Sequence, residues 1–309
     1  MEPAILVIRG GALGDFILTL PVLAALQRQF PKARLDVLAH LPFASLVVAA
    51  GVAESIHSID SPQFSGMFSQ EGSWPTEISD YFSQFSLIVS YVYDPNRIFQ
   101  TNIARCSKAR FIAGPYRADE SARIHATKAL LGPLEELGIS NADETPSLKV
   151  PRAANCLAGG ANWLAAHPGS GSARKNWPEE NWFALTRRLI EETGWNLLLI
   201  GGEAEGTRAA RLAATLPAER TNVAQDWSLV ELAAAMQECA AFLGHDSGIT
   251  HLAAALGLPG LALWGESVEE IWRPRGDGMK VLRSAKGIKE LEVETVFTAL
   301  AGKASAPPA

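Results

Sequence analysis

Short apolar runs separated by amphipathic stretches recur along nearly the whole chain, and this alternation restricts the fold more than any other feature. It is the pattern of βα units wrapped around mostly parallel sheets, whose strands are covered on both faces and so read as continuous apolar segments. AILVI near the N-terminus reads as the first strand, and a glycine-rich turn follows it. Beyond the turn, Phe16, Leu20, Leu23, Leu26 and Phe30 recur at roughly helical spacing, and Pro21 must kink that helix or restart it. RLDVLAH and SLIVSYVY read as further strands, so the first half is α/β. In the second half NWLAAHPG, WNLLLIGG, AAFLGH and GLALWG read as strands that each end at a small or polar residue. Their C-terminal ends form one rim, where ligands of open α/β sheets bind beside the topological switch point.

A chain of 309 residues exceeds what one hydrophobic core usually supports. Between Glu144 and Gly160 the periodicity gives way to prolines, glycines and small residues, as in an interdomain linker. The expected organisation is an α/β domain over 1–150, a linker over 151–160, a nucleotide-binding domain over 161–285, and a C-terminal helix with a frayed tail over 286–309. With 48% hydrophobic and 19% charged residues the chain has enough apolar surface to fold, and a net charge of -6 argues against a protein that coats nucleic acid. Cys106, Cys156 and Cys239 form no CxxC pair, which fits a reducing cytoplasm better than a disulfide framework or a zinc site. No positively charged leader precedes the first apolar run, and the longest apolar segment, Leu252 to Trp264, is too short to span a bilayer. The expectation is a cytoplasmic protein with at most peripheral contact to an inner membrane.

Three segments carry candidate chemistry. RGGALGD, from Arg9 to Asp15, joins a strand to a helix; its glycines at 10, 11 and 14 permit a tight turn and close ligand approach, and Asp15 suits a helix N-cap as well as it suits a catalyst. HPGSGSARKNWPEENW, from His167 to Trp182, offers backbone donors and Lys175 as a phosphate cradle; as a plain surface loop it would cap the helix beginning near Pro178, with Trp177 and Trp182 packed inside. GHDSGITHLAAALG is the most informative. There Ser247, Gly248 and Ile249 open a helix whose free amides and positive dipole end suit a diphosphate, and His251 follows on its first turn as a further donor-binding candidate, placed to donate to a phosphate or a sugar hydroxyl. The competing account makes Asp246 or Ser247 only a cap and His251 a buried, satisfied polar group.

In this order and at these separations the segments, with the opening ILVIRGGALGDFILTLPVLAALQRQFP, the stretch GPLEELGI and the strand LLLIGGEAE, resemble glycosyltransferase family 9, which contains the lipopolysaccharide heptosyltransferases. The resemblance implies a GT-B fold, two Rossmann-like domains facing each other across a cleft, with acceptor held mainly by the first and sugar nucleotide by the second. It implies Asp15 as catalytic base, Lys175 on the donor phosphates, Ser170 as a hydroxyl of the same loop, Asp246 as an acidic donor-site residue, and the amides of Ser247, Gly248 and Ile249 on the diphosphate. Glu205 and Trp227 fall near positions for the ribose and base. The implied partners are a sugar nucleotide, ADP-heptose first, and a lipid-linked glycan acceptor such as lipopolysaccharide core.

The sequence departs from the family at Gly10-Gly11-Ala12, where serines are common, at Gly171, where a second hydroxyl is common and Ser172 follows, and at Glu266-Ser267, where Thr-Asp-Pro is usual. One carboxylate base and no covalent nucleophile imply inversion at the anomeric carbon. No Asp-x-Asp tripeptide occurs, so the expectation is metal-independent chemistry with no cofactor. A UDP-N-acetylglucosamine 2-epimerase and a non-catalytic sugar-nucleotide sensor are alternatives on the same architecture. Arg97, Arg105, Lys108, Arg110 and Arg117 are either a surface for acceptor phosphates or an ordinary solvated stretch.

Overall fold

The computed structural model describes residues 3–152, 157, 162–202 and 207–301. The chain forms two compact units, Met1–Pro146 and Ser147–Ala309. Residues 147–150 belong with the second: the Leu148 amide donates to Ala255 O (2.8 Å), and the Gln237 side chain bonds both the Val150 amide and its carbonyl. Most of the expected linker, 153–156 and 158–160, lies outside the described residues, as does Cys156.

In the first unit β1 (Ala4–Arg9), β2 (Arg34–Ala39), β3 (Ser55–Ser58), β4 (Leu87–Tyr91) and β5 (Arg110–Ala113) form one parallel sheet in the order β3-β2-β1-β4-β5. The sequence order reverses between β1 and β4, which makes that junction the switch point. Pro21 restarts the first crossover rather than kinking it. One helix covers Leu13–Ile17, and a second, Leu20–Gln29, begins with Pro21 in its first turn, where a missing amide costs nothing. Leu6, Ile8, Leu38 and Ile88 share one buried hydrophobic core with Phe64, Phe82 and Phe99.

In the second unit β6 (Trp163–His167), β7 (Asn196–Gly201), β8 (Thr221–Gln225), β9 (Ala241–His245), β10 (Gly260–Leu263) and β11 (Met279–Leu282) form a second parallel sheet, in the order β11-β10-β9-β6-β7-β8. The four strands expected from sequence are its four central ones, and the switch point lies between β6 and β9. Trp177, Trp182 and Trp195 are buried against Leu197, Leu199 and Leu243. The C-terminal helix, Val293–Ala301, adds Val296 and Leu300 to that core and is pinned by Arg188, which pairs with Glu294 and lies 3.8 Å from the Phe297 ring centroid. Full burial of each such leucine or valine is worth roughly 1.5–3 kcal/mol, so this helix is part of the unit rather than an appendage. Among the described residues no helix is long and apolar enough to cross a membrane.

Candidate functional site

Both loops that leave the second switch point carry candidate residues. After β9 the chain passes Asp246 and turns at Ser247, whose extended backbone (φ -153°, ψ 165°) stops the strand and whose Oγ accepts the Thr250 amide at 3.4 Å. Ser247 is therefore the N-cap of the helix Gly248–Ala255. Among the described residues the amides of Ser247, Gly248 and Ile249 have no hydrogen-bond acceptor, so the positive end of this helix presents unspent donors. His251 lies in the helix proper, 6% exposed and with an interaction partner inside the protein, which agrees with a structural histidine.

Asp246 is the hub of this rim. Its carboxylate is 8% exposed; Oδ2 lies 2.6 Å from Lys175 Nζ and also accepts the Ser267 hydroxyl. Ser267, part of the departure at Glu266-Ser267, thus completes the pair from the loop after β10, while Glu266 is exposed. The loop after β6 is held from within. Ser170 Oγ lies 2.6 Å from Asn176 Oδ1 and 2.9 Å from Ser172 O, so its hydroxyl shapes the loop. His245, fully buried, locks that loop to β9: its Nε2 accepts the Trp177 amide at 3.0 Å, and its Nδ1 lies 3.1 Å from Gly169 O. An amide can only donate, so Nε2 is the bare nitrogen and Nδ1 carries the proton. His167, at the end of β6, meets Ser247 Oγ through Nδ1 at 3.3 Å. Neither histidine was singled out from sequence; each is a polar residue closing a buried strand, which is the signal that could have found them. Trp227 sits half-buried in the loop after β8, two strands from the switch point, and Glu205 lies outside the described residues.

At the first switch point the structure corrects one reading of Asp15. The N-cap is Ala12, and Asp15 is the third helical residue, reaching back so that Oδ2 accepts the Ala12 amide at 3.0 Å. Its other oxygen lies 3.3 Å from Arg9 Nη2. Arg9 is 3% exposed, and burial pushes its guanidinium pKa down while Asp15 pushes it back up. The guanidinium also donates to Tyr116 O (2.8 Å), Tyr91 O (3.2 Å) and Asp15 O (3.2 Å), joining the helix after β1, the end of β4 and the loop after β5. A lone charge closing an apolar strand was the sequence signal for Arg9. Gly11 has φ +93°, and a Cβ there would lie 2.7 Å from Asp15 Oδ2, so glycine makes room for the carboxylate. Beside this loop Tyr93 and Tyr116, 65% and 49% exposed, meet edge to face at 4.7 Å over a cavity of about 460 Å³ lined also by Arg97, Gln100 and Glu136.

Three members of the basic stretch are engaged by their own neighbours. Arg105 lies over the Trp74 ring and donates to Asn102 and Gly72, Arg110 bonds the carbonyl of Glu136, and Arg117 pairs with Glu120.

A family model described as glycosyltransferase family 9 (heptosyltransferase) matches residues 131–300. Lipopolysaccharide heptosyltransferase 1 of Pseudomonas aeruginosa is 40% identical over 107 residues, 34% of this chain and 29% of that protein, so the match spans less than a third of the relative. Among solved structures, E. coli ADP-heptose heptosyltransferase II superposes with TM-score 0.79 at 18% identity, covering 98% of each chain. An E. coli heptosyltransferase bound to ADP superposes with TM-score 0.76 at 18% identity, covering 97% of this chain and all of that one. At such identities the likeness establishes the fold, which is GT-B.

Proposed function

The chain belongs to glycosyltransferase family 9, and from that premise we propose that it is an inverting, metal-independent transferase that moves a sugar from ADP-heptose to a hydroxyl of a glycan acceptor of the lipopolysaccharide-core type. The observation that carries the reading is the helix Gly248–Ala255, whose unspent amides stand at a switch point beside Lys175. Donors of this kind match a diphosphate, and a leaving group that gains negative charge as the anomeric bond breaks is stabilised most in the transition state. The heptosyltransferase with ADP supports the choice of nucleotide. Asp15 takes the proton of the attacking hydroxyl: one oxygen is held by an amide and the other by a guanidinium, which leaves its second lone pairs for the acceptor. Arg9 keeps that carboxylate oriented. Lys175, and not a divalent cation, supplies charge next to the diphosphate.

The reading is tested by thermal shift against ADP-, UDP-, GDP- and CMP-sugars, followed by transfer assays with and without a chelator. Selective stabilisation by the ADP-sugar and chelator-insensitive transfer are expected. Equal stabilisation by all four nucleotides would remove the donor assignment, and loss of turnover with chelator would remove metal independence.

A further inference from the structure

A second polar pair stands on the rim of the first sheet, apart from Arg9 and Asp15. His40 Nδ1 lies 2.6 Å from Asp60 Oδ2. β2 ends at Ala39, whose register partner is Arg9 of β1, so His40 emerges one strand over from the Asp15 loop and at the same level. The Ile59 amide donates to Ala39 O at 3.0 Å, and this brings Asp60 to that level from β3. The ring of His40 meets Phe43 edge to face at 5.5 Å, and Phe43 meets Phe16, the neighbour of Asp15, at 6.4 Å. Three adjacent strands thus deliver Asp15, His40 and Asp60 to one edge of the unit.

A structural role for His40 would be to cap the helix Leu41–Ala49. His40 does occupy the N-cap position, but its side chain makes no capping hydrogen bond. The ring is spent on Asp60 instead. Asp60 accepts, so the tautomer that fits this contact has its proton on Nδ1 and a bare Nε2; among the described residues nothing bonds that nitrogen. The ring is about one-third exposed, open to a ligand. Beside a carboxylate, such a nitrogen suits a hydroxyl donor and not a phosphate or carboxylate, which Asp60 would repel.

We propose that His40, oriented by Asp60, accepts a hydrogen bond from a second hydroxyl of the sugar acceptor and so aligns the attacking hydroxyl with Asp15. The inference rests on the transferase reading above and adds a positioning residue to it.

The test uses the full chain, ADP-heptose and a deacylated core oligosaccharide lacking the heptose. His40→Ala is expected to raise the KM for the oligosaccharide about tenfold, the worth of one lost hydrogen bond, with the KM for ADP-heptose unchanged; His40→Gln, which keeps an acceptor atom, falls between. Asp60→Asn should show the same split more weakly. In 15N-histidine-labelled wild type, the Nε2 resonance of His40 should move when the oligosaccharide is added and stay still with ADP alone. An unchanged acceptor KM in His40→Ala, or a donor KM that moves equally, overturns the proposal. So does active wild type whose His40 resonance ignores the oligosaccharide. If wild type transfers nothing, the transferase reading fails. A His40 resonance that still moves with oligosaccharide would then support the contact with glycan, and a still one would overturn it.

Discussion

Lys175 Nζ lies 2.6 Å from Asp246 Oδ2, so the cation beside the open helix end is half of an ion pair before any ligand arrives. Asp246 is 8% exposed and Lys175 37%, so the carboxylate depends on the amine more than the reverse. A diphosphate has to share the lysine or draw it away from Asp246.

Lys175→Ala should therefore do two things at once. Loss of a charge-assisted contact weakens donor binding by about ten- to a hundredfold, and the stranded Asp246 carboxylate lowers the melting temperature. Adding Asp246→Asn should restore the melting temperature but not the affinity. Calorimetric titration with ADP and thermal melts on the single and double variants check this; equal rescue of both properties would show that Lys175 serves only the fold.

Asp15→Asn keeps the size of the side chain and an oxygen for the Ala12 amide, but it cannot take a proton. Transfer should fall by at least about a hundredfold with ADP affinity near wild type, while the melting temperature drops because the buried Arg9 loses its carboxylate partner. A variant that still transfers at the wild-type rate would return Asp15 to a purely structural role.

At Gly11 the positive φ and the contact a Cβ would make with Asp15 combine. Gly11→Ala should cost about 1 kcal/mol or more of stability and reduce transfer by displacing the carboxylate. Gly10 has open space where its Cβ would go, so Gly10→Ser, which restores a hydroxyl to the turn, should leave stability within about 0.5 kcal/mol. Denaturant melts with rate measurements on both variants decide it, and a harmless Gly11→Ala would break the link between the turn and the base.

Asp36, 3% exposed on β2, has its pKa raised by burial, against which Arg34 works. A carboxyl with a raised folded pKa favours the folded state below its unfolded value of about 3.9, and that contribution is lost as pH rises through the folded value. Asp36→Asn should therefore be neutral or stabilising at pH about 7 and should flatten the fall in stability above pH about 4. A loss of more than about 1 kcal/mol in the variant at neutral pH would contradict the sign.

The expected strands β1, β2, β4, β6, β7, β9 and β10 are interior to their sheets, covered on both faces and therefore largely apolar. The four that escaped, β3, β5, β8 and β11, are the edges of the two sheets. SIHS, RFIA, TNVAQ and MKVL are short and half-exposed, and one covered face leaves too little hydrophobic signal. The site was legible where local chemistry dictates it: a serine closing a strand before a helix, and glycines before an aspartate. Lys175 with Asp246 and His40 with Asp60 were not legible as pairs, because each joins the ends of two strands that only the sheet order brings together. Arg9 and Asp15 lie in one turn, and it is the burial of Arg9 under the carbonyls of Tyr91 and Tyr116 that the sequence hid.

The buried His245 that fastens the loop after β6 rests edge to face on Trp182 at 5.4 Å, and Trp182 rests in turn on Trp177. The loop that carries Lys175 thus takes its position from aromatic packing in the middle of the unit. A library selected for a new sugar nucleotide should accordingly yield substitutions at Trp182 and its neighbours as well as at the rim. On the transferase reading, core volume should then be a second dial on donor choice, one that no ligand needs to touch.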